Sequence, residues 1–203
     1  MAEPMDWNQR YVEKNTPWDS GEPSMELQRV LQEDWFPPGR MLELGCGTGT
    51  NAIFLAQMDF EVTAVDVAPL ALEKARTKAA EACTSVNFLE ADALALPDLG
   101  APFPFVFDRG VYHHLRTVDL QRFLAVLAKV TAIGGYYLTL AGNANDPAPA
   151  DVSPPRVHAQ EICAELLSLF QLVQLREFRF DGVVIPGRKD APLAWSVLLR
   201  RKS

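Results

Sequence analysis

The segment Glu43-Leu44-Gly45-Cys46-Gly47-Thr48-Gly49 limits what this chain can fold into more than any other stretch. It follows a short apolar run (Met41, Leu42) behind a Pro37-Pro38-Gly39 break, and it precedes a helical pattern over 51–58. Strand, glycine turn and helix in that order bring bare backbone N–H groups and a helix N-terminus up to a ligand. A Cβ would obstruct both the tight turn and the ligand's approach, hence glycine. The spacing is not that of the dinucleotide fingerprint G-x-G-x-x-G: the third glycine comes one residue early, and Thr50 stands where that pattern has glycine. Glu43, two residues ahead of the first glycine, would repel a pyrophosphate but suit a cationic amino group. The bland alternative is a glycine-rich turn without a ligand.

Further carboxylates follow at strand ends. Glu61-Val62-Thr63-Ala64-Val65-Asp66 reads as a second strand, and Asp66 lies 17 residues beyond Gly49, the length of one helix and a short turn. At the carboxyl end of strand two, beside the glycine loop, Asp66 can accept from both hydroxyls of a ribose. It can equally cap a helix starting near Pro69. Phe88 to Ala93 alternates like a strand and carries Asp92 at its end, and Phe103 to Phe107 delivers Asp108 to the same edge.

This pattern resembles the class I S-adenosylmethionine-dependent methyltransferases. The resemblance implies S-adenosyl-L-methionine as cofactor, with Glu43, Gly45, Cys46, Gly47, Gly49 and Thr50 around its methionine end. It also implies Asp66 with Val67 at the ribose, Asp92 with Ala93 at the adenine, and Asp108 with Arg109 beneath the methyl. The lead-in Trp7-Asn8-Gln9-Arg10-Tyr11 and Thr16-Pro17-Trp18-Asp19-Ser20-Gly21-Glu22-Pro23 is similar to that of the thiopurine, thiol and tellurite-resistance branch. In that branch the segment folds over the cofactor as a lid. Trp18 would then help wall the methionine end, with Tyr11 near the transferring methyl and Trp7 a further cofactor-binding candidate. A sulfonium over an aromatic face gains cation–π attraction of about 0.5–2 kcal/mol. Alternatively, Trp7 and Trp18 anchor the N-terminus by burial alone.

At 203 residues and 48% hydrophobic, the chain can bury a large core without disulfides or metal, and one domain over 1–203 is expected, with a lid over 1–23 and a catalytic core over 36–203. A net charge of −7 with no extended basic run disfavours nucleic acid as partner. Three scattered cysteines (Cys46, Cys83, Cys163) match no metal pattern and suit a reducing cytoplasm. Neither a signal peptide nor an 18-residue apolar run is evident, so no membrane partner is expected. Without heptads, a monomer or weak homodimer is the expected state.

The fold class expected is α/β: a Rossmann-like, doubly wound sheet of about seven mostly parallel strands, one of them antiparallel near the C-terminus. Periodicity predicts helices over 24–35, 69–82, 118–130 and 157–170 and strands over 136–141, 172–180 and 193–200. Residues 143–156 hold Pro147, Pro149, Pro154 and Pro155 and are expected to loop over the active-site rim.

Methyl transfer from a sulfonium is an in-line displacement, so alignment is the main task and supplies roughly 7–11 kcal/mol. A thiolate or another soft chalcogen or halide anion needs no base. An oxygen or nitrogen acceptor gains a further factor of roughly 10²–10⁴ from one. The expected acceptor is a small thiol, chalcogen or halide nucleophile. The alternatives are O- or N-methylation of a small metabolite and a sensor that binds the cofactor without turning it over. Candidate catalytic residues are Asp108, His113, His114 and Tyr11. Adjacent helical residues diverge by about 100°, so one histidine, not both, is expected to face the acceptor. Arg179 and Arg188 are candidates for an anionic substrate, with His158 a weaker one.

Overall fold

The computed structural model describes residues 5–149, 154–183, 185 and 187–203. Its strands are β1 (Arg40–Leu44), β2 (Glu61–Asp66), β3 (Asn87–Glu90), β4 (Phe103–Arg109), β5 (Thr131–Asn143), β6 (Arg156–Val157), β7 (Phe170–Arg179) and β8 (Leu193–Arg201). They form one sheet in the order β3-β2-β1-β4-β5-β8-β7, with the short β6 pairing parallel to β5 off this path. Pairs β2–β3, β1–β2, β1–β4 and β4–β5 are parallel, while β8 runs antiparallel to both neighbours, β5 and β7. This is the expected doubly wound sheet with a single antiparallel strand.

Helices α1 (Trp7–Val12), α2 (Met25–Leu31), α3 (Thr50–Gln57), α4 (Pro69–Glu81), α5 (Tyr112–Val130) and α6 (Ala159–Leu166) complete the chain. Alternation along each strand assigns side chains to the two faces. Met41, Val62, Ala64, Phe105 and Phe107 pack with Leu27, Val30, Ala52, Leu55 and Leu72 from α2, α3 and α4. Leu42, Leu44, Val65 and Val106 pack with Phe123, Leu127, Ile162 and Leu166 from α5 and α6. Central strands buried on both faces read as near-continuous apolar runs, which is why β1, β2 and β4 are so apolar.

Several boundaries differ from the periodicity. The N-terminal segment is not merely turn-rich: Asp6 accepts from the backbone N–H of Gln9 at 2.9 Å and starts α1, whose Tyr11 is buried against Ala68 and Ala71. Helix α5 begins six residues before the expected start, at Tyr112. It is broken at Asp119 (φ −158°, ψ 86°), whose carboxylate caps a second helical segment through the N–H of Arg122. The apolar spacing from Val118 onward marks only that second segment. Strand β5 extends back through Gly134 and Gly135 across an irregular register between Phe103 and Phe105. A Cβ on Gly135 would lie 2.8 Å from the Pro104 carbonyl oxygen. Helices α2 and α6 are shorter than expected, and Ala150–Ser153 of the Pro-rich stretch lie outside the described residues. Among the described residues, no helix is long and apolar enough to cross a membrane.

Candidate active site

Register brings the carboxylates to one rim. Leu44 is level with Val65 on one side and Asp108 on the other, and Asp66 is level with Glu90. The glycine loop crosses this rim with Gly45, Gly47 and Gly49 all at positive φ (64°, 55° and 76°). Each is required by closeness as well as by backbone conformation. A Cβ on Gly45 would lie 2.3 Å from Val111 Cγ2, one on Gly47 would lie 2.8 Å from the Tyr11 hydroxyl, and one on Gly49 would lie 2.8 Å from Ala75.

Asp66 secures this loop. One carboxylate oxygen accepts from Gly47 N–H at 2.7 Å and the other from Ala68 N–H at 2.9 Å. Burial raises its pKa, and those N–H groups oppose the rise. Each oxygen keeps a second lone pair, so loop anchoring and ribose binding are compatible. Beside it, Val67 is 48% exposed, leaving an apolar surface next to the candidate ribose carboxylate. Asp92 is exposed just beyond β3, where one oxygen accepts from Leu94 N–H at 2.8 Å, and Ala93 lies half-buried next to it.

Glu43 is 1% exposed, and burial pushes its pKa up to about 8, with Asn51 and Arg109 working the other way and Asp66 adding to the rise. Its Oε2 is buried without a hydrogen-bond partner, and so is Nε of Arg109 on the neighbouring strand end. An unpaired buried acceptor and an unpaired buried donor on one rim fit the zwitterionic methionine end of S-adenosylmethionine: ammonium to Glu43, carboxylate to Arg109. Thr50 opens α3 there and receives a hydrogen bond from Lys78 Nζ at 3.3 Å. Cys46 is buried with its thiol pKa driven well up by burial, and it contributes backbone rather than thiolate: its N–H bonds the Val65 carbonyl at 2.9 Å.

The N-terminal segment sits on this loop. Trp18 Nε1 donates to the Tyr11 hydroxyl at 3.2 Å, and Trp7 stacks edge-on against both Trp18 (5.6 Å between centroids) and His114 (4.8 Å). Arg109 clasps two segments at once, donating to the Trp18 carbonyl at 2.8 Å and the Asp181 carbonyl at 3.0 Å. Thr48, Lys78, Asp19 and Asp181, which join the loop to its cover, were not legible from residue type, because these partners are 28 or more residues away in sequence.

Several expected roles are corrected by this geometry. Asp108 is fully buried: one oxygen accepts from Val111 and Tyr112 N–H (2.8 and 3.1 Å), and the other accepts from the Tyr137 hydroxyl at 2.5 Å. That carboxylate holds the β4–α5 turn and is not disposed to act as a base. His113 is buried too, and its Nδ1 accepts the Gly142 N–H at 2.7 Å, so this nitrogen is closed to an acceptor's proton. Burial lowers its pKa well below the ordinary histidine value. His114 lies edge-on to His113 at 4.8 Å, and burial takes its pKa down to about 4. Tyr11 has its pKa raised by burial and by the Asp66 charge, so its hydroxyl stays protonated. Arg179, on the exposed end of β7, donates to the Ala191 carbonyl, and Arg188 grips both oxygens of buried Asp146 (3.1 and 2.9 Å). Both arginines brace loops instead of waiting for an anion. His158 caps α6 in a capping box with Glu161.

Residues 41–135 match the family described as a methyltransferase domain. The chain is 25% identical over 158 residues to the 2-heptyl-1-hydroxyquinolin-4(1H)-one methyltransferase of Mycobacteroides abscessus, covering 77% of this chain and 69% of that protein. It is 32% identical over 72 residues to probable thiol methyltransferase 2 of Arabidopsis thaliana, which covers 36% of this chain and 32% of the relative's length. The fold aligns with a solved structure described as the conversion of a disulfide bond into a thioacetal group during echinomycin biosynthesis. That alignment has a TM-score of 0.77 and 24% identity, over 92% of this chain and 85% of the other. Matched domain, strand order and glycine-loop site agree, and together they support a class I S-adenosylmethionine-dependent methyltransferase.

Proposed function

We propose that the chain transfers the cofactor's methyl group to a small acceptor that binds as an anion, most readily a thiol or related chalcogen or halide nucleophile. The cofactor supplies an electrophilic sulfonium methyl. The acceptor's lone pair forms the new bond to carbon while the S–CH₃ pair returns to sulfur, so the sulfonium becomes a neutral thioether. No protein group need take a proton at that moment if the acceptor's proton has already gone to solvent.

The observation that carries this reading is the engagement of the candidate bases: Asp108 by three donors, His113 Nδ1 by Gly142. A soft or acidic acceptor suits such a site. The thiol methyltransferase relative supports the sulfur version. The hydroxyquinolone methyltransferase relative favours a second reading, methylation of an acidic hydroxyl on a heteroaromatic ring.

The test is S-adenosylhomocysteine production across thiols, sulfide, iodide, tellurite, 4-nitrophenol and a primary amine. Turnover of the thiols, sulfide, iodide or tellurite, without the amine, supports the first reading. Turnover of 4-nitrophenol alone supports the second, and turnover of the amine alone overturns both.

A further inference from the structure

We infer that His113 is an acceptor-binding residue fixed as a hydrogen-bond donor: its Nε2–H faces the site and holds the acceptor in its anionic form. This rests on the reading that the chain methylates small anionic acceptors, and it adds the residue that selects the anion.

The tautomer follows from a single contact. A backbone N–H can only donate, so the Gly142 N–H at 2.7 Å requires a lone pair on Nδ1 of His113. In a neutral ring the remaining proton must then sit on Nε2. Burial favours the neutral ring, and the Arg109 charge opposes a second proton as well. No hydrogen bond engages Nε2 among the described residues.

Position gives that proton a purpose. His113 lies in the first turn of α5, directly after the Asp108-Arg109-Gly110 strand end. The point where a Cβ on Gly110 would stand is 3.4 Å from Nε2, so a side chain at this position would sit against this nitrogen. Gly110 has φ +96°, a conformation that side chains rarely adopt. Val111, the next residue, packs against the missing side chain of Gly45 in the cofactor loop. On the other side, His114 connects the ring of His113 to Trp7 of the N-terminal segment. The His113 ring is thus linked through the neighbourhood of Val111 to the glycine loop and through His114 to the aromatic N-terminal segment, and we place the acceptor beside its Nε2–H. As a donor it stabilises a thiolate or oxyanion over the neutral acid, and no proton passes through it in the transfer.

The experiment uses the full chain with S-adenosylhomocysteine bound. His113→Asn keeps an oxygen that can accept the Gly142 N–H but removes the Nε2 donor, and His113→Gln returns an N–H close to the Nε2 position. The probes are 4-nitrothiophenol and 4-nitrophenol, whose ionisation is read by absorbance. The expected result is that His113→Asn binds S-adenosylhomocysteine as the unmodified chain does. It should hold the thiolate about tenfold or more weakly, with the bound probe's pKa about one unit higher and partial recovery in His113→Gln. Equal anion affinity in the two chains overturns the inference, as does failure of either anion to bind the unmodified chain. Independently, long-range ¹H–¹⁵N spectra of the free protein should show a protonated Nε2 and a bare Nδ1 from pH 6 to 8, and the reverse tautomer sinks the assignment. Anion binding without methyl transfer would instead refute the proposed reaction while leaving the donor in place.

Discussion

Thr48 in the glycine loop donates its hydroxyl to Asp19 of the N-terminal segment at 2.7 Å, and Lys78 of α4 donates to the same Thr48 oxygen at 2.6 Å. Three separate elements thus meet on one hydroxyl, with Asp19 and Lys78 themselves 3.8 Å apart. The pair of charges is partly exposed, so it contributes little to global stability. Its effect falls on whether the segment carrying Trp18 stays closed over the loop. Asp19→Ala is expected to weaken S-adenosylhomocysteine binding about five- to tenfold by calorimetry while changing unfolding stability by less than about 1 kcal/mol. Unchanged affinity would show that the latch has no part in holding the cofactor.

Asp66 should behave differently, since it anchors the loop and is also the candidate ribose ligand. Asp66→Asn puts an amide N–H₂ against one of two backbone donors, Gly47 N–H or Ala68 N–H, and leaves it unpaired. A stability loss of about 1–3 kcal/mol is expected from denaturant melts, together with loss of detectable cofactor binding. Full binding by the variant would exclude the ribose role.

The contrast between these two residues explains what the sequence could show. Asp66 stands at the end of an apolar run at a fixed interval from three glycines, so strand and rim were readable together. The same logic located Glu43, Asp92 and the β4 end. Asp19, Thr48 and Lys78 carry no such local mark, because their bonds join residues far apart in the chain. His113 and Asp108 were visible as candidates, yet their chemistry depended on Gly142 and Tyr137, which arrive from β5. Residue type suggested two bases, whereas the sheet register decided otherwise. Similarly, the apolar period could not reveal that α5 is two helical segments joined at Asp119.

Glu43 gives a pH prediction with a definite sign. Its folded pKa of about 8 exceeds the ordinary value of 4.5, so between these limits the folded state holds more proton than the unfolded one. Stability is therefore lost as pH rises through this window. Glu43→Gln should be more stable than the unmodified chain at pH 8, by a few kcal/mol at most, with the gap closing towards pH 5. Binding shows the opposite trend: an ammonium group favours the ionised carboxylate, so S-adenosylhomocysteine affinity should rise from pH 6 to 8 in the unmodified chain and stay flat in Glu43→Gln. Parallel stability curves for the two proteins would contradict the buried, unpaired assignment.

Asp108 provides the sharpest separation of scaffold from catalyst. Burial raises its pKa to about 6, against the pull of the Tyr137 hydroxyl and the Tyr112 and Val111 N–H groups. The folded value again lies above the ordinary 3.8, so this group makes stability fall between about pH 4 and 6, a slope that Asp108→Asn should remove. The substitution keeps one oxygen for the two backbone donors but sets an amide nitrogen against Tyr137, a repacking expected to cost about 1–3 kcal/mol at pH 7. If the carboxylate only holds the turn, the folded variant should lose less than about tenfold in kcat and keep the shape of the kcat/KM pH profile. A base would instead cost a factor of roughly 10²–10⁴ and take the acidic limb of that profile with it. Measuring kcat across pH 5–9 below the variant's melting temperature separates the two, since a weakened turn lowers the amount of folded protein without shifting either limb.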